Sequence, residues 1–192
     1  MLSIPDVDGV YVYRGGNWER IVFEGPYVPS ADGIYIIYFR NRSCPGCKGF
    51  DKLWNRFVAE NGNGFKEAVL VQCTNFFFEC SSQEAADTFI FYLVFATPQL
   101  VVVVIENGVP VYIEREVYFP DLDSLKNFVF GVNERRKRVS EESTEESEEE
   151  GIYIDLNSKN WKDVVNKIKS IVLEGRNLKE ICDEEGCKVV IE

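Results

Sequence analysis

Cys44-Pro45-Gly46-Cys47 is the arrangement with the clearest capacity for chemistry. Two thiols separated by two residues can close a ring on oxidation and open it on reduction, exchanging two electrons with another sulfur pair. The pair follows Ile34-Tyr35-Ile36-Ile37-Tyr38-Phe39, whose aromatic and β-branched residues predict a strand. It precedes a run from Lys48 to Ala59 in which Phe50, Leu53, Trp54, Phe57 and Val58 keep helical spacing with Cys47, and Asn61-Gly62-Asn63-Gly64 stops that helix. A strand that feeds a cysteine pair into a helix sets a thiol beside unpaired backbone N–H groups and the positive end of the helix dipole. Both favour the thiolate, the form that attacks a disulfide.

Cysteine has to carry this chemistry, because the 192 residues include no histidine. That excludes Ser-His-Asp hydrolysis, Cys-His proteolysis and His-ligated metal sites. The net charge of −11 is spread along the chain, with 10 Lys and Arg against 16 Asp and Glu over residues 1–133 and 11 against 16 beyond. Such a balance argues against nucleic acid or an anionic membrane as partner. The apolar runs 89–96 and 100–105 are too short to span a bilayer, and the first residues carry neither a basic segment nor an apolar stretch. The expectation is a cytoplasmic protein of one domain plus an extension.

The six cysteines form three local pairs, Cys44/Cys47, Cys73/Cys80 and Cys182/Cys187. Short separations favour disulfides Cys73–Cys80 and Cys182–Cys187 as structural staples, worth about 2.5 and about 2 kcal/mol by loop closure. Sequence alone does not fix connectivity, and a zinc ion held by four thiolates from two of the pairs is the metal alternative. The wider spacings of the second and third pairs depart from zinc-knuckle patterns, so no metal and no cofactor is expected. Intracellular disulfides are a feature of hyperthermophiles, and one Met, three Gln and abundant Glu, Lys and Arg fit a thermophilic source.

The elements around the cysteines read as follows. Val10 to Tyr13 and Trp18 to Phe23 flank Arg14-Gly15-Gly16-Asn17 as a hairpin; Ala68 to Val71 is a short strand; Ser81 with Glu84 forms a capping box for a helix through Ile90. Leu100 to Ile105, apolar at every position, predicts a central strand covered on both faces, and Asn107-Gly108 turns it back into Val111-Tyr112-Ile113. Pro120-Asp121-Leu122 opens a helix closed by Gly131. Residues 134–150, four basic residues followed by seven Glu among Ser and Thr, read as a charged linker or surface helix. Residues 151–192 read as a small α/β extension: a strand at Ile152-Tyr153-Ile154, a helix from Trp161 to Gly175, a second helix over Asn177 to Glu185, and the apolar Val189-Val190-Ile191.

From about Tyr27 to Val132 the chain resembles the thioredoxin-like superfamily, on Ile37-Tyr38-Phe39 before Cys44-Pro45-Gly46-Cys47-Lys48 and on Ala96-Thr97-Pro98 before the buried strand ending in Asn107-Gly108. The resemblance implies an α/β fold with a central mixed sheet flanked by helices over residues 1–133, including the N-terminal hairpin. It implies that Cys44 is an exposed nucleophile, Cys47 the resolving thiol, and Thr97-Pro98 a cis peptide facing them. In such folds the backbone before this proline pairs with an extended substrate, so Pro45, Gly46, Thr97 and Pro98 are the implied substrate-binding residues. Tyr38 stands where the family has a buried carboxylate, Ser43 where it has a tryptophan and Lys52 near its helix-kinking proline. The order Pro45-Gly46 is closer to Cys-Pro-X-Cys glutaredoxins than to thioredoxin.

The implied function is thiol-disulfide exchange with protein substrates, recycled by a redox partner. The alternative is a redox-inactive adaptor that keeps the fold and engages a protein through its acidic linker and C-terminal extension.

Overall fold

Leu100-Val101-Val102-Val103-Val104-Ile105 is apolar throughout because helices cover both faces of its strand. In the computed structural model, which describes residues 3–142, 161–173, 176 and 178–191, this strand lies inside a six-stranded mixed sheet. Its strands are β1 (Gly9–Arg14), β2 (Asn17–Ile21), β3 (Gly33–Asn41), β4 (Glu67–Cys73), β6 (Gln99–Glu106) and β7 (Val109–Glu116), in the order β2-β1-β4-β3-β6-β7. Only β3 and β4 run parallel, as a strand pair joined through a helix must.

That helix is α1 (Pro45–Asn61), which buries Phe50, Trp54, Phe57 and Val58 on one face of the sheet together with Leu125, Phe128 and Val129 of α3 (Leu122–Phe130). The opposite face packs Ala85 and Phe89 of α2 (Gln83–Phe91). Alternation along β3 divides its side chains between the layers: Ile36 and Tyr38 face α1, whereas Tyr35, Ile37 and Phe39 face α2. The cap of α2 is Ser82, whose hydroxyl accepts from the Ala85 N–H, one residue beyond the Ser81 expected from the capping box. Asp121 caps α3 in the same way through the Ser124 N–H.

After Gly131 the chain continues as α4 (Val132–Glu142), so the basic cluster sits on a helix, pinned to the sheet where Arg135 pairs with Glu114 and Arg136 with Glu106. The rest of the acidic linker, the strand expected at Ile152-Tyr153-Ile154 and the stop at Gly175 lie outside the described residues. Helix α5 (Trp161–Leu173) lays Val165 and Ile168 against Ile90 on the outer side of α2.

The helix expected over Asn177 to Glu185 is not formed. Leu178–Cys182 is a strand, β8, that turns through residues 183–186 into β9 (Cys187–Ile191). The turn is held by the Asp183 carboxylate, which accepts from the Glu185 and Gly186 N–H groups, and by the Asp183 N–H, which donates to the Gly186 carbonyl. A free backbone edge at β5 (Ala96–Thr97) then recruits β9 as an antiparallel partner, making a three-stranded sheet in the order β5-β9-β8. Tertiary pairing outweighs the local helix preference of Lys179, Glu180, Glu184 and Glu185. Among the described residues, no helix is long and apolar enough to cross a membrane.

Candidate active site

Cys44 is the N-cap of α1: its backbone is extended and its sulfur accepts the Cys47 N–H at 3.1 Å. Pro45 opens the helix, where a missing N–H costs nothing. The thiol of Cys44 also points at the Thr97 carbonyl, 3.5 Å away, and the Thr97-Pro98 peptide bond is cis. The structure therefore brings Cys44, Cys47, Gly46, Thr97 and Pro98 into one constellation. The other four cysteines are joined as Cys73–Cys80 and Cys182–Cys187, which leaves Cys44 and Cys47 as the free thiols. Glu180, Cys182 and Cys187 cluster in the hairpin, but two of these three potential metal ligands are consumed in their own disulfide.

The two thiols are driven apart in acidity. Hydrogen bonding from the Cys47 thiol lowers Cys44 from an ordinary 9.0 to about 7; burial opposes the shift, and the Cys47 N–H, the Thr97 side chain and the Cys187 N–H reinforce it. Burial pushes Cys47 well above 9.0, and the neighbouring Cys44 adds to that. The Thr97 hydroxyl has no hydrogen-bond partner of good geometry, yet it lies near enough to both sulfurs to favour their ionised forms. The low-pKa sulfur is suited to attack, and the protonated one to wait in reserve.

Beneath Cys47 is a polar network that was not foreseen. The Tyr38 hydroxyl donates to Asp51 Oδ1 at 3.0 Å and to the Cys47 carbonyl at 3.3 Å. Arg40 grips Asp51 through both its Nε and one terminal nitrogen at 2.9–3.1 Å, and its other arm donates to Gln72 Oε1 at 2.6 Å. Burial holds Tyr38 well above its usual 10, helped by Asp51 and by the charge Cys47 would carry once ionised, so Tyr38 acts as a hydroxyl donor. A carboxylate thus reaches Tyr38 from α1. The signal was present: Asp51 is four residues after Cys47, on the same helix face, and Arg40 is two residues after Tyr38, on the same face of β3.

The approach to the sulfurs is the main correction. Cys44, expected to be exposed, is 0 % exposed, as is Cys47. The cover is the C-terminal hairpin: Thr97 stands opposite Cys187 in the β5–β9 ladder, and the Val189 N–H donates to the Phe95 carbonyl at 2.7 Å. A Cβ on Gly46 would fall 2.0 Å from the Glu185 carbonyl oxygen, and one on Gly186 would fall 2.2 Å from that of Thr97. The two backbones approach so closely because each presents a glycine just before a cysteine. That recurrence, Gly46-Cys47 and Gly186-Cys187, was the sequence signal for the contact.

Cys73–Cys80 lies to the side. It closes a loop in which Asn75 and Glu79 exchange backbone hydrogen bonds and the Phe76 N–H donates to Asn41 Oδ1 at 2.9 Å. Ser43, immediately before Cys44, donates to the Thr74 carbonyl at 3.1 Å. The loop steadies the entrance to α1 from below. Of the triplet Phe76-Phe77-Phe78, Phe76 is core, whereas Phe78 is 42 % exposed. Compared with known proteins, the chain matches no family model and no curated protein.

Proposed function

We propose that this chain is a thiol-disulfide oxidoreductase of thioredoxin-like architecture, with Cys44 as nucleophile and Cys47 as resolving thiol. The observation that carries this reading is the division of labour between the two free thiols, one capping a helix with its pKa lowered to about 7 and the other buried and held protonated. The cis Thr97-Pro98 bond opposite them, in a mixed sheet with helices on both faces, supports the same reading.

In the exchange, the Cys44 thiolate attacks one sulfur of a disulfide, the S–S bond breaks, and the other sulfur leaves as a thiolate. Cys47 then loses its proton and attacks Cys44, releasing the second substrate sulfur as a thiolate that takes up a proton. Cys44 and Cys47 end as a disulfide and the substrate as a dithiol; in reverse, the chain oxidises a dithiol. Direction is set by the partner's potential, about 30 mV being a tenfold change in equilibrium for two electrons.

The burial of Cys44 favours a second reading, a redox-inactive adaptor whose cysteines are scaffold. One experiment separates them: dithiol-driven reduction of insulin disulfides by the full chain. Activity lost by at least about a hundredfold in Cys44→Ser is the expected result, since the nucleophile is removed. Reduction no faster than with the dithiol alone in both proteins gives the adaptor reading, and equal catalysis by both would take the chemistry away from Cys44.

A further inference from the structure

The exchange described above needs an incoming disulfide to reach Cys44, and the C-terminal hairpin occupies that place. Its strand β9 is added to β5 in the manner of an extended peptide, and its own half-cystine, Cys187, stands opposite Thr97. Cys187 lies near enough to Cys44 to help hold its ionised form, and Cys44, Cys47 and Cys187 share one buried cluster, which Cys73 also joins. Cys187 is 3 % exposed, but its partner Cys182 is exposed. Paired glycines, Gly46 and Gly186, bring the two backbones together at distances that no side chain would tolerate. A staple needed only to close a hairpin requires none of this.

We propose that Cys182–Cys187 is a second redox couple, through which the buried Cys44/Cys47 pair exchanges electrons with thiols and disulfides outside. This rests on the oxidoreductase reading and names the first partner of that site: a segment of the same chain. The Cys44 thiolate attacks Cys187 Sγ, the Cys182–Cys187 bond breaks, and Cys182 leaves as a thiolate. Cys47 then gives up its proton and attacks Cys44, the Cys44–Cys187 bond breaks, and Cys187 leaves as a thiolate. The proton from Cys47, with the one given up earlier when Cys44 ionised, goes to Cys182 and Cys187 according to pH. The inner pair is oxidised, the outer pair is reduced, and no further reactant is consumed. An external disulfide then reoxidises the outer pair at exposed Cys182, becoming a dithiol itself.

The groove beside this couple runs between the hairpin and Val117-Tyr118, with Thr97 and Pro98 at its floor. Tyr118, 64 % exposed, offers an apolar wall to an arriving chain. Glu180 lies beside Cys182, and Asp183, Glu184 and Glu185 follow it in the exposed turn, an acidic setting that suits a partner whose reactive sulfur lies among basic residues.

The test uses full-length protein, fully reduced and freed of reductant, mixed with hydroxyethyl disulfide, a neutral probe chosen because of those carboxylates. Samples are acid-quenched at increasing times, alkylated and mapped by mass. The expected result is that Cys182–Cys187 forms first and Cys44–Cys47 appears as it decays, at a rate independent of protein concentration. A companion protein, Cys47→Ser with Cys182→Ser, is expected to yield a Cys44–Cys187 disulfide on mild oxidation. If Cys44–Cys47 forms before Cys182–Cys187, or the companion gives no Cys44–Cys187 bond, the relay is overturned while the oxidoreductase reading stands. If Cys44–Cys47 never forms, even with a large excess of probe, both fall.

Discussion

Cys73–Cys80 and Cys182–Cys187 are the same bond closing loops of similar length, with sequence separations of 7 and 5. By loop closure they are worth nearly the same, about 2.5 and about 2 kcal/mol. Both border the buried cluster that holds Cys44 and Cys47, but they meet it differently. Cys73 is buried at the end of β4, and its loop meets the strand-to-helix junction through Asn41 and Ser43. Cys187 stands opposite Thr97, the residue whose carbonyl the Cys44 thiol faces. What a disulfide does is decided by whether a thiolate stands beside it, and loop length is silent on that point.

The sharpest way to break this comparison is to remove the hairpin from its seat. Gly186→Val places a Cβ 2.2 Å from the Thr97 carbonyl oxygen and 3.1 Å from Pro98 Cδ, and the first of these is backbone that cannot move aside. We expect β9 to leave β5 and the alkylation of Cys44 by iodoacetamide at pH 8 to rise about a hundredfold, as for loss of 2–3 kcal/mol of local protection. Phe78→Ala, on the other disulfide's loop, should leave that rate unchanged. Equal rates in Gly186→Val and the parent would mean that the hairpin does not guard the thiol.

Stability gives a second way to break it, and here the order reverses. Cys73→Ser with Cys80→Ser should cost about 2.5 kcal/mol and lower Tm by about 5–10 °C in a thermal melt. Its loop lies within the main sheet's cooperative unit, at the end of a central strand. Cys182→Ser with Cys187→Ser should shift the main transition by less than about 1 kcal/mol, because an edge hairpin opens locally before the sheet does. Equal shifts would place both disulfides in one cooperative unit and remove the distinction.

The same contrast governs how much was legible. Around Cys73–Cys80 the elements announce themselves through local signals: the β-branched and aromatic runs of β3 and β4, Asp121 before α3, the all-apolar β6. The cysteine pair at the head of α1 and the motif Thr97-Pro98 are likewise local patterns. The hairpin was misread because Lys179-Glu180 and Glu184-Glu185 carry helix preference, and the force that makes them strand and turn lies some eighty residues away at β5. The exposure of Cys44 was misjudged for that reason too: a cover contributed by a distant segment leaves no mark near the residue it hides. The Asp51–Arg40 pair escaped notice differently, since its meaning depends on the strand and helix faces meeting at Tyr38.

That pair allows a third prediction, within the inner site that the outer disulfide addresses. Asp51→Asn leaves the Arg40 guanidinium, only 9 % exposed in its side chain, with a neutral partner, and should cost about 3 kcal/mol. If the network also positions Cys47, the resolving step slows as well, so a mixed disulfide between Cys44 and hydroxyethyl thiol should persist longer than in the parent. Loss of stability with an unchanged lifetime would confine the network to scaffolding.

The pH profile is the mildest of the tests and sharpens the comparison from the side of the thiolate. With Cys44 lowered to about 7, its reactive fraction is about 10 % at pH 6 and about 90 % at pH 8, so exchange with Cys187 should rise through neutrality and level off above pH 8. If no thiolate of the chain reaches the Cys73–Cys80 bond, its exchange should keep rising with the ionisation of whatever external thiol is added. The sign also fixes the stability trend. A depressed Cys44 favours the fold fully above 9.0, the ordinary thiol value, and loses that contribution as pH falls through about 7, whereas a raised Cys47 favours the fold below 9.0 and loses its contribution as pH climbs beyond. Because hydrogen bonding from the Cys47 thiol is the leading cause of the Cys44 shift, Cys47→Ala should move the midpoint of Cys44 alkylation upward from about 7. A midpoint that stays near 7 would instead assign the acidity of Cys44 to its position at the head of α1, and the inner pair would then act as one tuned sulfur with a passive neighbour.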